Sequence, residues 1–341
     1  MIESKSGQSR GRPVLINAVV LIAALAAAAA AAVYLMTVMP GASLKGGLPP
    51  GDGELVSLSQ RLKEHVWTLA EEIGERHDGE MENLERAADY IYSQFQSYGY
   101  VPLEDRFGAK QYRNIAINLY GREKQNEVIV IGAHYDTVWM TPGADDNASG
   151  VAGLLEIARA LSGRRFARTL RFIAFTNEEE PFYGTDNMGS GVSAKRSHEN
   201  RENIVGMFSL EMIGFYSSEP GSQHYPGVIR RFYPERGNFV AFVSNFSSRG
   251  FLRRSIRHFR DQAAFPSEGL AAPERLVPDI RRSDNASYWY YGFPAVMITD
   301  TSNYRNPNYH NVGDLARTLD YDSMARVVTG LTGMLQELAR D

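Results

Sequence analysis

The chain has 341 residues, 43% of them hydrophobic and 22% charged, with a net charge of −4 and a pI near 6.0. That length is ample for a substantial core, and the slight acidity gives no support for a nucleic-acid surface. The absence of cysteine excludes disulfides and thiolate metal sites, so any metal must be held by histidine and carboxylates.

From Val14 to Met39 only Asn17 and Thr37 are polar, and no charge falls between Arg12 and Lys45. At about 1.5 Å rise per residue this run is roughly 39 Å long, enough for a hydrocarbon core of about 30 Å. Arg10 and Arg12 precede it, and basic residues favour the cytoplasmic side. The expectation is a short cytoplasmic tail over residues 1–12 and a transmembrane anchor over 13–39. That makes the chain a single-pass membrane protein with its body on the extracytoplasmic side. The alternative is a secretory signal cleaved among the alanines, although the apolar region of such a signal is usually only about 7 to 15 residues. Either way the body is exported.

A glycine- and proline-rich linker occupies residues 40–53, and residues 54–341 form the body. Helical spacing runs from Leu55 to Ile73 and from Glu82 to Gly99, where the glycine suits a helix stop. Strand-like runs follow at 112–121, 128–133, 169–176, 204–214, 239–245 and 295–301, with helical segments near 150–162, 249–262 and 320–339. Strands alternating with helices predict a three-layer α/β/α fold with a mostly parallel, twisted central sheet covered on both faces. Two long stretches, Phe215 to Asn238 and Ala263 to Asp284, read as irregular and are expected to wall a substrate pocket.

Ligands of open α/β sheets bind outside the carboxyl ends of the strands, and polar residues accumulate there. His134 and Asp136 follow one run, with Asp145 and Asp146 in the next loop. "NEEE" (Asn177 to Glu180) follows a second run, Glu211 closes a third, and "NPNYHN" (Asn306 to Asn311) follows a fourth. So many acids brought together would repel each other without cations. Histidine and carboxylate donors suit zinc, with cobalt and manganese admitted by the same ligand logic. A pair of metals sharing a carboxylate is one arrangement that uses this many acids.

The ordered set "HYD", "GADDNASG", "TNEEE", "LEMIG" and "YHN" resembles the zinc exopeptidases that include bacterial di-zinc aminopeptidases, glutamate carboxypeptidases and glutaminyl cyclases. The match covers roughly Leu55 to Leu338 and implies one catalytic domain over 54–341. Carried over by position, His134 resembles a metal ligand, with Asp136 behind it to fix its ring. Asp146 resembles the bridging carboxylate and Glu178 the general base. Glu179 resembles a ligand of the first metal, while Glu211 and His310 resemble ligands of the second. Tyr309 is similar to a tyrosine that steadies the oxyanion, and Asp284 to a group on the substrate side. Glu179 and Glu180 are an alternative base and ligand pair; alignment through Phe175, Thr176 and Asn177 favours Glu178 and Glu179. Glu211 stands where many such aminopeptidases have aspartate, and Asn285 where the family usually has histidine. Asp145 and Asn147 read as turn and N-cap residues.

The resemblance implies an aminopeptidase with two zinc ions. It would act on N-terminal residues of peptides through a metal-bridging water activated by Glu178. Alternatives are glutaminyl-peptide cyclisation, carboxypeptidase or dipeptidase action, and a non-catalytic binding domain on the same fold. The expected partners are peptide substrate and, through the N-terminal helix, a membrane.

Overall fold

The computed structural model describes residues 11–340, in two units that divide between Val38 and Met39. The first unit is helix α1 (Gly11–Thr37). Its segment Asn17–Thr37 is long and apolar enough to cross a membrane, with a mean hydropathy of 2.5, and a signal sequence meets the same description. Of the expected tail, residues 1–10 lie outside the described residues.

The second unit begins with α2 (Gly53–Trp67), whose N-cap is Asp52: its carboxylate accepts from the Leu55 amide at 2.8 Å. In α3 (Met81–Ser97) the buried residues Leu84, Ala87, Ala88, Ile91 and Phe95 recur every three or four positions. The chain then leaves the helix through Gly99 at φ +87°, a conformation that glycine adopts without cost. There follow β1 (Leu103–Phe107), β2 (Tyr112–Leu119), β3 (Lys124–His134), α4 (Gly150–Leu161), β4 (Arg168–Phe175), α5 (Gly189–Glu199), β5 (Asn203–Glu211), β6 (Val240–Asn245), α6 (Arg249–Gln262), β7 (Ser267–Ala272), α7 (Asn285–Tyr290), β8 (Ala295–Thr299) and α8 (Tyr321–Arg340).

One sheet carries all eight strands in the order β1-β2-β4-β3-β5-β8-β6-β7. The pairings β3–β4, β3–β5, β5–β8 and β6–β7 are parallel, whereas β1–β2, β2–β4 and β6–β8 are antiparallel. Central strands are buried along most of their length, as in the run Val128 to His134, which fits a sheet covered on both faces. Alternation along β5 separates the two helical layers. Phe208 packs on Phe251 of α6 with ring centroids 4.8 Å apart, while the next residue, Ser209, pairs its hydroxyl with Ser283 just ahead of α7. Helices α2, α4, α6 and α8 pack together on the first face; α5 and α7 pack on each other.

Three elements escaped the sequence reading. Strands β1 and β7 lie at the sheet edges, and α5 is polar enough to bury only small residues such as Ser190, Ser193 and Ala194. The stretch Ala263 to Asp284, expected to be irregular, therefore contains a strand. In "SEGLAA" the only large apolar residue is Leu270, so the run carries little strand signal.

Candidate metal centre

Strands β3, β4, β5 and β8 run parallel to one another or through a shared neighbour, so their carboxyl ends open on one edge. His134 is the last residue of β3 and Glu211 the last of β5. Glu178 and Glu179 lie just beyond β4, and His310 lies in the connection after β8. Asp146 lies in the turn that starts α4. Non-glycine residues sit at positive φ beside these groups: Asn177 before Glu178, Met212 after Glu211, and His310 itself. Such backbone costs of order 1–3 kcal/mol per residue and clusters at functional sites. Gly143, at φ +61°, opens the Asp146 turn, and a Cβ there would stand 2.4 Å from the Asp146 carbonyl oxygen.

Asp146 sits at the centre of this cluster. Its Oδ1 is 3.3 Å from His134 Nε2, and its Oδ2 is 3.1 Å from His310 Nε2. Glu211 Oε2 is 3.3 Å from His134 Nε2, and Glu179 Oε1 is 3.4 Å from His310 Nε2. Two triads thus share one carboxylate: His134, Asp146 and Glu211 on one side, and His310, Asp146 and Glu179 on the other. These contacts set Glu211 beside His134, where the resemblance put it with His310, while the expected first set of His134, Asp146 and Glu179 also stays together, its donor atoms within 4.8 Å of one another. The cause is sheet register, because the pairing of Gly132 with Ser209, continued along β3 and β5, sets Glu211 beside His134.

His134 Nε2 and Asp146 Oδ1 are fully buried and make no hydrogen bond among the described residues. Their close approach lacks hydrogen-bond geometry, and orphaned buried polar atoms of this kind call for an explanation such as an ion. The Nδ1 of His134 lies 3.2 Å from the Asp136 carbonyl oxygen. With the proton assigned to Nδ1, the lone pair on Nε2 points into the cluster. The donor atoms of His134, Asp146 and Glu179 lie within 4.8 Å of one another. Nitrogen and oxygen donors converging without thiolate fit zinc.

Electrostatics point the same way. Burial alone would lower the His134 pKa, yet Glu211, Asp136, Asp146 and Glu178 push it well above the ordinary range. Burial opposes the His310 imidazolium too, and Asp146 and Glu179 raise it to about 10. Burial and then Asp146 push Glu179 up to about 7. Glu178 is raised well above the carboxylate range by burial, with Glu179, Glu211 and Asp284 adding to the rise. Asp146 moves the other way: burial would raise it, and the two imidazoles hold it well below. The acids of the cluster draw protons onto both imidazoles, and divalent cations would supply that positive charge in their place.

Several groups fix this geometry from behind. The Asp136 carboxylate accepts from the Glu178 and Glu179 amides, both at 3.1 Å. Asp136→Asn is therefore expected to weaken metal affinity by about 10–100-fold while the chain still folds, as measured by competition with a chromogenic chelator; unchanged affinity would remove Asp136 from this role. Three further groups were missed from sequence. Asp314 accepts from the Asp145 and Asp146 amides at 2.9 and 3.0 Å. The Ser283 hydroxyl donates to Glu211 Oε2 at 2.7 Å. Arg76, wholly buried, donates to the carbonyls of Leu69, Gly74, Tyr135, Pro142 and Gly143. A lone arginine in "GERHDGE" gives no sequence signal for that role, whereas Asp314, four residues past His310, and Ser283, beside Asp284, had at least a place near the motifs.

The remaining expected residues fall in different places. The ring of Tyr309 stacks on His310 at 3.7 Å, and its hydroxyl accepts from Arg282 at 3.0 Å. Asp284, expected on the substrate side, is wholly buried, and its carboxylate oxygens make no geometrically formed hydrogen bond among the described residues. Asp145 holds structure instead of facing the cluster, accepting from the Gly214 amide and from Asn306. Asn147 does likewise, accepting from the Gly150 and Met212 amides. An open pocket adjoins Glu211 and is lined by residues of both long loops.

The model of peptidase family M28 matches residues 114–332. YfbL of Escherichia coli (strain K12) is 39% identical over 287 residues, covering 81% of this chain and 87% of that protein. Aminopeptidase YwaD of Bacillus subtilis (strain 168) is 30% identical over 207 residues, covering 60% of this chain and 42% of YwaD. The chain spans about half the length of several other curated relatives that it matches. Among solved structures, a zinc aminopeptidase from Bacillus subtilis superposes with a TM-score of 0.65 at 14% identity, covering 83% of this chain and 95% of that one.

Proposed function

Because the chain belongs to peptidase family M28 and is thereby a metallopeptidase, we propose that it is a zinc aminopeptidase releasing N-terminal residues from peptides. The observation that carries this reading is Asp146 presenting one oxygen to His134 and the other to His310. In this reading His134, Asp146 and Glu211 hold one ion, and Asp146, Glu179 and His310 hold a second. Zinc supplies Lewis acidity there, polarising a carbonyl and acidifying water.

The protein's own groups do the rest. Glu178, with Oε2 4.0 Å from His134 Nε2, belongs to neither triad, which leaves its carboxylate available as a base. Burial and neighbouring acids raise its proton affinity, so it can take a proton from the attacking water and pass it to the departing amine. The Tyr309 hydroxyl accepts from Arg282 and keeps its own proton to offer a developing oxyanion. Asp284, buried beside these groups, acts from behind and makes no contact with substrate.

The test combines metal analysis of the purified full-length protein with amino-acid release from matched free and N-acetylated peptides, before and after chelation. Two zinc ions per chain and chelator-sensitive cleavage of free N-termini alone are the expected results. One zinc with cyclised glutamine products would replace the reading with the cyclase, and cleavage of the acetylated peptides would exclude an aminopeptidase.

A further inference from the structure

Sheet register places four residues side by side across four strands. Glu211 of β5 is opposite Thr299 of β8, Thr299 is opposite Ala241 of β6, and Ala241 is opposite Glu268 of β7. Directly paired residues face the same side of a sheet, and all four line the pocket. At about 4.8 Å per strand, the row runs roughly 14 Å from Glu211 at the metal centre to Glu268 at the sheet edge. Thr299 and Ala241 are small, so a trough lies between the two carboxylates. Its other walls are largely apolar or aromatic, among them Tyr225, Tyr233, Val277 and Ile280, with Asp279 and Arg282 the further charged side chains that line it.

The three lining carboxylates differ in one respect. Glu211 accepts from Ser283, and Asp279 accepts from Tyr304. Glu268 has no hydrogen bond or ion pair among the described residues. Arg260 acts on it only at longer range, because its guanidinium is engaged by the carbonyls of Pro40, Gly41 and Ser267. Burial raises the Glu268 pKa despite Arg260 and Lys45, a direction consistent with a carboxylate lacking a close cation. A half-buried acid at the end of an apolar trough is costly unless something pairs with it.

We propose that Glu268 is a specificity determinant that pairs with the cationic side chain of an N-terminal lysine or arginine, whose alkyl stem lies along the trough. This rests on the aminopeptidase reading and assigns its substrate class. A long side chain with a charged tip matches both features of the pocket, apolar walls and a distant acid, because such side chains bury their stems and pair their heads. Short or acidic first residues leave Glu268 unpaired or repel it.

The experiment measures kcat/KM of the full-length zinc-loaded protein on fluorogenic amides of lysine, arginine, norleucine, leucine and glutamate, for wild type and Glu268→Gln. Norleucine keeps the length of lysine without its charge, so it reports on folding and on the metal centre. Wild type is expected to favour lysine or arginine over norleucine, and Glu268→Gln to lose about 10–100-fold on the cationic amides, the range for a hydrogen bond between charged groups, with norleucine changed less than about threefold. Equal losses on lysine and norleucine, or a wild type that prefers norleucine, would overturn the assignment and leave the aminopeptidase reading intact. No release from any of the amides would overturn both.

Discussion

Glu178→Gln is expected to lower kcat by about 10²–10⁴-fold, the contribution typical of a positioned general base or acid, while zinc content and KM stay close to wild type. Glutamine keeps the shape and the backbone of Glu178, so the hydrogen bonds that the Glu178 and Glu179 amides donate to Asp136 survive. It removes only the ability to take and return a proton. Because Glu178 belongs to neither triad around Asp146, metal content should not follow activity downward. That separates Glu178 from Glu179, whose replacement would remove a group 3.4 Å from His310 Nε2 and lower both together. Steady-state kinetics with metal analysis on the same preparation decides the matter. A variant with wild-type turnover would strip Glu178 of its role, and a variant that lost metal and activity in parallel would make it a ligand.

Much of this architecture is legible from the chain because its signals are local. The run Val128 to Ala133 is apolar and β-branched, and it ends in a histidine at the carboxyl edge where ligands of such sheets gather. Helix α3 declares itself by its period and by Gly99. The edge strand β7 does not, because "SEGLAA" owes its conformation to pairing with β6 and not to its own residues. The contact between His134 and Glu211 was likewise out of reach: it depends on the register between β3 and β5, and no single segment encodes that. Arg76 is the clearest limit. Its side chain ties down five carbonyls contributed by segments on both sides of β3, so its role exists only once those segments have met. Glu268 belongs to the same class, an ordinary acid in sequence that acquires meaning from its place in a row of four strands.

Removing zinc is expected to abolish turnover and to reverse the pH dependence of stability. In the metal-free protein Glu179 and Asp284 are each raised to about 7 by burial, and Glu178 is raised in the same direction. A group whose folded pKa is raised holds its proton more tightly when folded, so its contribution is present below the unfolded pKa and is lost as pH rises through the folded value. His134 and His310 are also raised, so they carry the same sign. Asp146 has the opposite sign, but its contribution is lost only as pH falls below the ordinary carboxylate range. Between about pH 5 and pH 8 the Tm of the chelated protein should therefore fall as pH rises. The zinc-loaded protein should behave in the opposite way, because its ligands must shed protons to bind and affinity grows with pH. At zinc about 100-fold above its Kd the linkage is worth roughly 2.7 kcal/mol, which for a body spanning residues 54–341 is a gap of about 4–5 °C. Thermal melts of chelated and zinc-loaded protein across this range should diverge toward alkaline pH. Parallel curves would mean that the clustered acids are not what the metal neutralises.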